Sequence, residues 1–440
     1  MLINLDDQHL QTTKYLSYSY TIEQQDLNRL FANSQAYQGE RFFWKSADER
    51  ITYLGIQALE TFTDADFDKI QQFQQSFKEN CTLISPLKQA PILFGGFPFD
   101  TKGAKETFWN ELEAGYFQLP KILFTKTQEQ TIVTLTIVNA PDTQQQFNRL
   151  AMLVSELVEA TPAEADDSVA LTTEELAVPE WLQLVEDSLA AIEANRFKKV
   201  VLARQLKATH PQQFNRARIL ANLFEQQPNT YTFLLEGPTR SFIGATPERL
   251  VEATPEHFAT ASVAGSTPRG KTPEEDDRLG LELLDDPKNS YEHGLVVNRI
   301  EQELAPFIEQ MTLGERRLLK NRDIQHIYLP LFGKRKAGVT LLDVIKALHP
   351  TPALGGEPRQ AALEWLAEKE LAGRGLYGAP IGWLSLMEDI GEFAVGLRSG
   401  VFSENEGIFY AGCGIVADSV PELERQETKI KFQPMLRGVQ

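Results

Sequence analysis

Three residues near the end of the chain, Glu424, Glu427 and Lys431, stand three and four positions apart within PELERQETKIKF. That spacing places two carboxylates and one ammonium on a single helix face. An oxygen-only pair suits a hard cation such as Mg²⁺, and a lysine one turn further on can hold an anion beside it. The same pattern also describes a solvated face laced with Glu–Lys pairs, so its chemistry depends on what precedes it.

Immediately before it runs GIFYAGCGIVADS, a β-rich stretch in which Gly412 and Gly414 flank Cys413. Glycines two apart on a strand share a face and leave it bare, so a ligand can approach the backbone closely. GEFAVGLRSGVF reads as one alternating strand, with Phe393, Val395, Leu397 and Val401 on one side and Ala394, Gly396, Arg398 and Gly400 on the other. Arg398 is then an arginine above small residues, suited to clamping a carboxylate.

Further upstream, NRFKKVVLARQL reads as a turn feeding a buried strand with Lys199 at its mouth. A lysine that loses hydration among apolar neighbours can act as a general base. In TYTFLLEGPTRSFIGATPERLVEA, Glu248 follows Gly244, Ala245, Thr246 and Pro247, a fixed loop at a cleft where a buried carboxyl can stay protonated and act as an acid. ASVAGSTPRGKTPEEDD offers Gly265 and Ser266 in a bend that can present amides and a hydroxyl to an anion. DPKNSYEHGLVVNRIEQEL reads as a helix with Glu292 and His293 in its first turn, and Glu292 could meet Glu427 across a cation. His293, His326 and His349 lack zinc spacing and read as structural.

The elements that must position these residues occupy the second half of the chain. Residues 1–160 mix strands (ITYLGIQAL, PILFGGFPFD, QTIVTLTIVN) with amphipathic helices and hold no chemical constellation. The acidic, weakly periodic stretch 161–180 reads as a linker or surface loop, and 181–440 carries nearly every motif. A net charge of −18 argues against a nucleic-acid partner, which needs clustered Lys and Arg. Two cysteines make no disulfide framework. No apolar run approaches membrane-spanning length and the N-terminus has no signal-peptide pattern, so a cytoplasmic protein without membrane contact is expected.

KVVLAR, GATPERLV, AGSTPRG, YEHGLVVNRI, LHPTPALGGEPRQAA, RGLYGAPIGW, GEFAVGLRSG, YAGCGIVADSVPELERQET and the final KIKF, in that order, closely resemble the chorismate-utilising enzymes. The match covers about residues 181–437. The resemblance implies a single large α+β domain, layered α/β/β/α with antiparallel sheets, the N-terminal part folded into the same body. It also implies a Mg²⁺-dependent site for chorismate. Carried over by motif, Lys199 is the general base and Glu248 the general acid. Glu292 and Glu427 ligate the metal with Glu424 in support, and Gly265, Tyr377, Arg398, Gly412 and Lys431 surround the substrate.

The attacking nucleophile separates the members of that family. Aminating anthranilate synthases generally place glutamine where Lys199 stands, so the lysine argues for water and for no amidotransferase partner. Aminodeoxychorismate synthases usually carry a second lysine where this chain has Ala264. Salicylate synthases tend to have threonine at the position of Ala353, whereas alanine resembles the isochorismate synthases. The expectation is therefore an isochorismate synthase, most like those of menaquinone biosynthesis. A salicylate synthase, a siderophore-pathway enzyme and a non-catalytic chorismate-binding relative are the alternatives.

Overall fold

Alternating apolar strands dominate the chain, and the computed structural model pairs them almost entirely antiparallel. It describes residues 13–100, 107–161 and 170–440, apart from the side chains of Thr107 and Glu292. Among the described residues, the one parallel pairing joins Tyr15–Ser17 to Cys81–Leu83.

Strand Tyr116–Lys126 is the branch point. It pairs with Thr52–Thr63 and Thr131–Val138, while its first residues also meet Ile92–Gly96. One branch continues through Arg41–Lys45, Tyr231–Glu236, Ser241–Thr246, Ser399–Phe402 and Glu406–Ile415 to Lys199–Thr209. The other runs through Pro380–Ser385, Gly391–Val395, Arg249–Ala253 and His257–Pro268 to Ile324–Arg335.

Between the two branches lies an aromatic core with Phe42, Trp44, Phe94, Trp109, Phe233, Phe242 and Tyr410. Helices cover both outer faces. Thr143–Glu159 buries Phe147, Leu150, Val154 and Leu157, a stripe at helical spacing, against the first branch. Leu341–Leu348, started by a Thr340–Asp343 capping box, packs on the second with Phe67–Asn80 and Pro287–Leu304. The expected α+β, α/β/β/α architecture is what the chain adopts.

The N-terminal strands are integral to these sheets. Arg41 donates to Glu236 at 2.7 Å with both side chains almost wholly buried. Losing either partner would strand the other charge, at a cost of about 3–5 kcal/mol.

Three readings change. The stretch 161–180 is only partly a connector: residues 162–169 lie outside the described set, but Thr172–Glu175 pairs with Leu206–Thr209 and a helix begins at Val178. Glu175 accepts from Arg425 and is ion-paired with Arg204, which ties an acidic surface stretch down. GEFAVGLRSGVF is two strands, because the chain leaves one branch at Val395 and enters the other at Ser399. Helix Pro287–Leu304 begins five residues before Glu292, capped by Asp286, so Glu292 and His293 lie beyond its first turn.

Candidate active site

Two crossings between the branches lie side by side, and each carries a candidate residue. Ser241–Thr246 belongs to one branch and Arg249–Ala253 to the other, with Pro247 and Glu248 between them. Their partners, Ser399–Phe402 and Gly391–Val395, are joined through Gly396, Leu397 and Arg398. The crossings are bonded to each other: Val395 N–H donates to Glu248 O at 3.0 Å, and Ala245 N–H donates to Arg398 O at 3.1 Å. Arg398 has φ 50°, a left-handed conformation a non-glycine residue adopts at a cost. Arg398 therefore reaches the site through a break in strand geometry, not through alternation.

Glu248 and Arg398 line a cavity of about 340 Å³. Lys199 enters from the first residue of its strand, and Gly412 and Gly414 line the wall from the neighbouring strand, with Cys413 turned into the core. Gly265, Ser266, Ala353 and Tyr377 border the same space, as do Glu424, Glu427 and Lys431 from helix Pro421–Gly438. Every predicted site residue with a described side chain is thus in one cavity. The Glu292 side chain lies outside the described residues.

The electrostatics divide the carboxylates. Burial pushes Glu248 up to about 7, against the pull of Arg398, Lys199 and Lys431. A carboxyl so placed carries a proton near neutrality. Glu427 goes the other way: burial opposes its charge, but Lys431, Arg398 and Lys199 hold it below the usual carboxylate range. Burial and then repulsion from Glu427 raise Glu424, despite hydrogen bonds with Ser419 and Cys413. Lys431 is ion-paired to Glu427 at 2.6 Å and donates to Gly412 O at 2.8 Å. Burial lowers Arg398 and lifts the Tyr377 phenol to about 12. Tyr377 stacks on Tyr410, with ring centroids 5.0 Å apart.

Among the described residues no three His, Cys, Asp or Glu side chains gather tightly enough to hold a metal. Glu424 and Glu427 nevertheless supply two oxygen donors that repel each other, an arrangement a hard cation would relieve. The donor chemistry fits a hard divalent cation.

Among the cavity-wall residues that sequence reasoning missed are His326 and Arg374. His326 Nδ1 lies 2.9 Å from Ser266 Oγ; burial, then Arg398 and Lys431, push the histidine down to about 3, so the ring is neutral. The pairing of Ser266 with His326 across two strands is the signal that would have found it. Arg374 is buried between Glu370, Leu354 O and Val201 O, and so ties together the segments carrying Ala353 and Lys199. A second cavity, about 510 Å³, shares Arg374 as a lining residue and is lined by none of the predicted residues. His349 Nε2 lies 3.1 Å from Phe99 O, a structural contact. No helix among the described residues is long and apolar enough to cross a membrane.

Comparison with known proteins extends this picture over the whole chain. The chorismate binding enzyme family matches residues 2–440. Isochorismate synthase MenF of Bacillus subtilis is 33% identical over 439 residues, spanning 96% of this chain and 93% of its own. The salicylate biosynthesis isochorismate synthase of Pseudomonas aeruginosa is 31% identical, spanning 97% of this chain and 90% of its own. Among solved structures, the menaquinone-specific isochorismate synthase MenF of Escherichia coli has the same fold, with a TM-score of 0.83, 24% identity and coverage of 98% of this chain and 95% of that one. By a match that runs from one end of the sequence to the other, this chain belongs to the chorismate binding enzyme family.

Proposed function

We propose that the chain is an isochorismate synthase that converts chorismate to isochorismate for menaquinone biosynthesis, with Lys199 as base and Glu248 as acid. The observation that carries the assignment is the pairing, in one cavity, of a lysine with a carboxyl that burial keeps protonated up to about pH 7. Relatives named as isochorismate synthases support the same reading.

In this mechanism neutral Lys199 takes a proton from a water molecule, whose oxygen bonds to C2 of the ring. The ring double bonds shift and the C4–O bond breaks. Glu248 gives its proton to the departing hydroxyl, which leaves as water. One water enters and one leaves, so the product is an isomer of the substrate. Each positioned acid or base contributes about 10²–10⁴-fold. Arg398 faces a substrate carboxylate, Gly412 and Gly265 allow close approach of backbone, and Tyr377 closes one side against the ring. A divalent metal belongs to the reaction in this family. We assign Mg²⁺, held by Glu427 and Glu292 with Glu424 in support, where it would neutralise the ring carboxylate and localise developing charge. Ser266 holds neutral His326 and completes the wall. A cytoplasmic location belongs to the same proposal.

Chromatography of products formed from chorismate and Mg²⁺, with and without ammonium, tests the function. Isochorismate that forms equally in both is expected. Salicylate with pyruvate would move the assignment to a salicylate synthase, an ammonium-dependent aromatic amine would overturn water as nucleophile, and no turnover would favour a binding protein.

A further inference from the structure

We infer that Gly414 is a positioning residue for the base: its missing side chain is the space through which Lys199 reaches the cavity. Gly414 pairs with Val201 on the strand next to Lys199. A Cβ built there would stand 2.7 Å from Lys199 Cε, 3.4 Å from Nζ and 3.9 Å from Cδ, and its three nearest atoms all belong to that one side chain. The backbone does not demand glycine, because Gly414 is not among the residues with positive φ. A strand interior pays for glycine in chain entropy and lost packing. Other glycines on this strand differ: a Cβ at Gly407 would meet the Phe402 and Phe409 rings, and one at Gly412 would meet Leu202 O and the Tyr377 hydroxyl, each at 3.2 Å.

An alanine at 414 is therefore compatible with the strand but not with the present course of Lys199. The lysine must yield, since its far end is flexible and the strand is not. Its amine would retreat by up to ~1 Å, a displacement that can cost about 10²-fold when it falls on a reacting group. The inference rests on the proposed role of Lys199 as base.

Gly414→Ala should lower kcat by about 10- to 100-fold while KM and chorismate affinity stay within a few-fold. A raised KM with unchanged kcat would overturn the inference, because the space would then belong to the substrate. A second measurement is independent of activity: melting temperatures of Gly414→Ala, Lys199→Ala and the double variant. Removing the lysine side chain should abolish whatever destabilisation the alanine causes. If Gly414→Ala destabilises as much in the Lys199→Ala background, the alanine clashes with something else and the inference fails. Failure of wild type to turn over chorismate would remove the functional proposal and leave this thermal cycle standing as its own test.

Discussion

Glutamates at two places in this cavity have opposite fates. Glu248 sits on a crossing between two sheets, and burial raises it to about 7 despite three cations within electrostatic reach. Glu427 sits on the last helix with its side chain 45% exposed, and much the same cations hold it below the ordinary range. The difference lies in water and in a direct partner. Lys431 reaches Glu427 at 2.6 Å, whereas burial outweighs the pull of the cations on Glu248. One residue type thus supplies an acid from the interior and an anion from the rim.

The largest effect is expected at Lys199, the proposed base opposite the proposed acid. Lys199→Gln should abolish isochorismate formation, a loss of about 10²–10⁴-fold, because an amide cannot take a proton from water. Chorismate should still bind through Arg398, Lys431 and the metal, so single-turnover assays should place the loss on chemistry. Near-normal turnover would remove the base assignment, and loss of binding alone would recast Lys199 as a carboxylate anchor.

At the rim, Glu427→Gln keeps volume and removes the anion. Activity at ordinary Mg²⁺ should fall by up to about 100-fold, with the metal requirement shifted upward and the fold unchanged by circular dichroism. Glu292→Gln should behave alike. Normal metal dependence in either variant would refute the ligand assignment.

For the interior carboxyl the sign of the pH effect is fixed. Glu248 must be protonated to act, so kcat/KM should fall about tenfold per unit as pH rises through about 7. Its folded pKa is above the ordinary 4.5, so its contribution to stability is complete below that value and is lost as pH rises through about 7. Glu248→Gln should flatten this part of the stability profile while costing activity. A falling limb that persists in the variant would assign the titration elsewhere.

The smallest expected effect is at Ala353. Ala353→Thr should shift products toward salicylate, by about tenfold or less in ratio, since one added hydroxyl changes discrimination modestly. Unchanged ratios would leave the position without a selectivity role.

Local pattern carried much of this site into view from sequence. Glu424, Glu427 and Lys431 share a helix face because 3.6-residue periodicity is a local property, and the Gly412/Gly414 wall followed from strand alternation. What escaped was decided between distant segments. The alternation of GEFAVGLRSGVF continues formally through a crossing, and only the paired strand Ser241–Thr246 reveals that the chain changes sheets there. His326 and Arg374 enter the cavity through partners 60 residues away in one case and 173 in the other. Thr172–Glu175 reads as acidic loop because its ordering comes from arginines far along the chain. The family resemblance supplied the substrate, which no spacing of residues could have named.

In the proposed reaction Lys199 delivers water to the ring while Glu248 releases the old hydroxyl. Turnover of chorismate by the wild-type enzyme with Mg²⁺ in ¹⁸O-enriched water, followed by mass spectrometry of the product, tests it most directly. Isochorismate should carry a single ¹⁸O, at the C2 hydroxyl. Product that retains the substrate's own oxygen, with no label from solvent, would contradict the account.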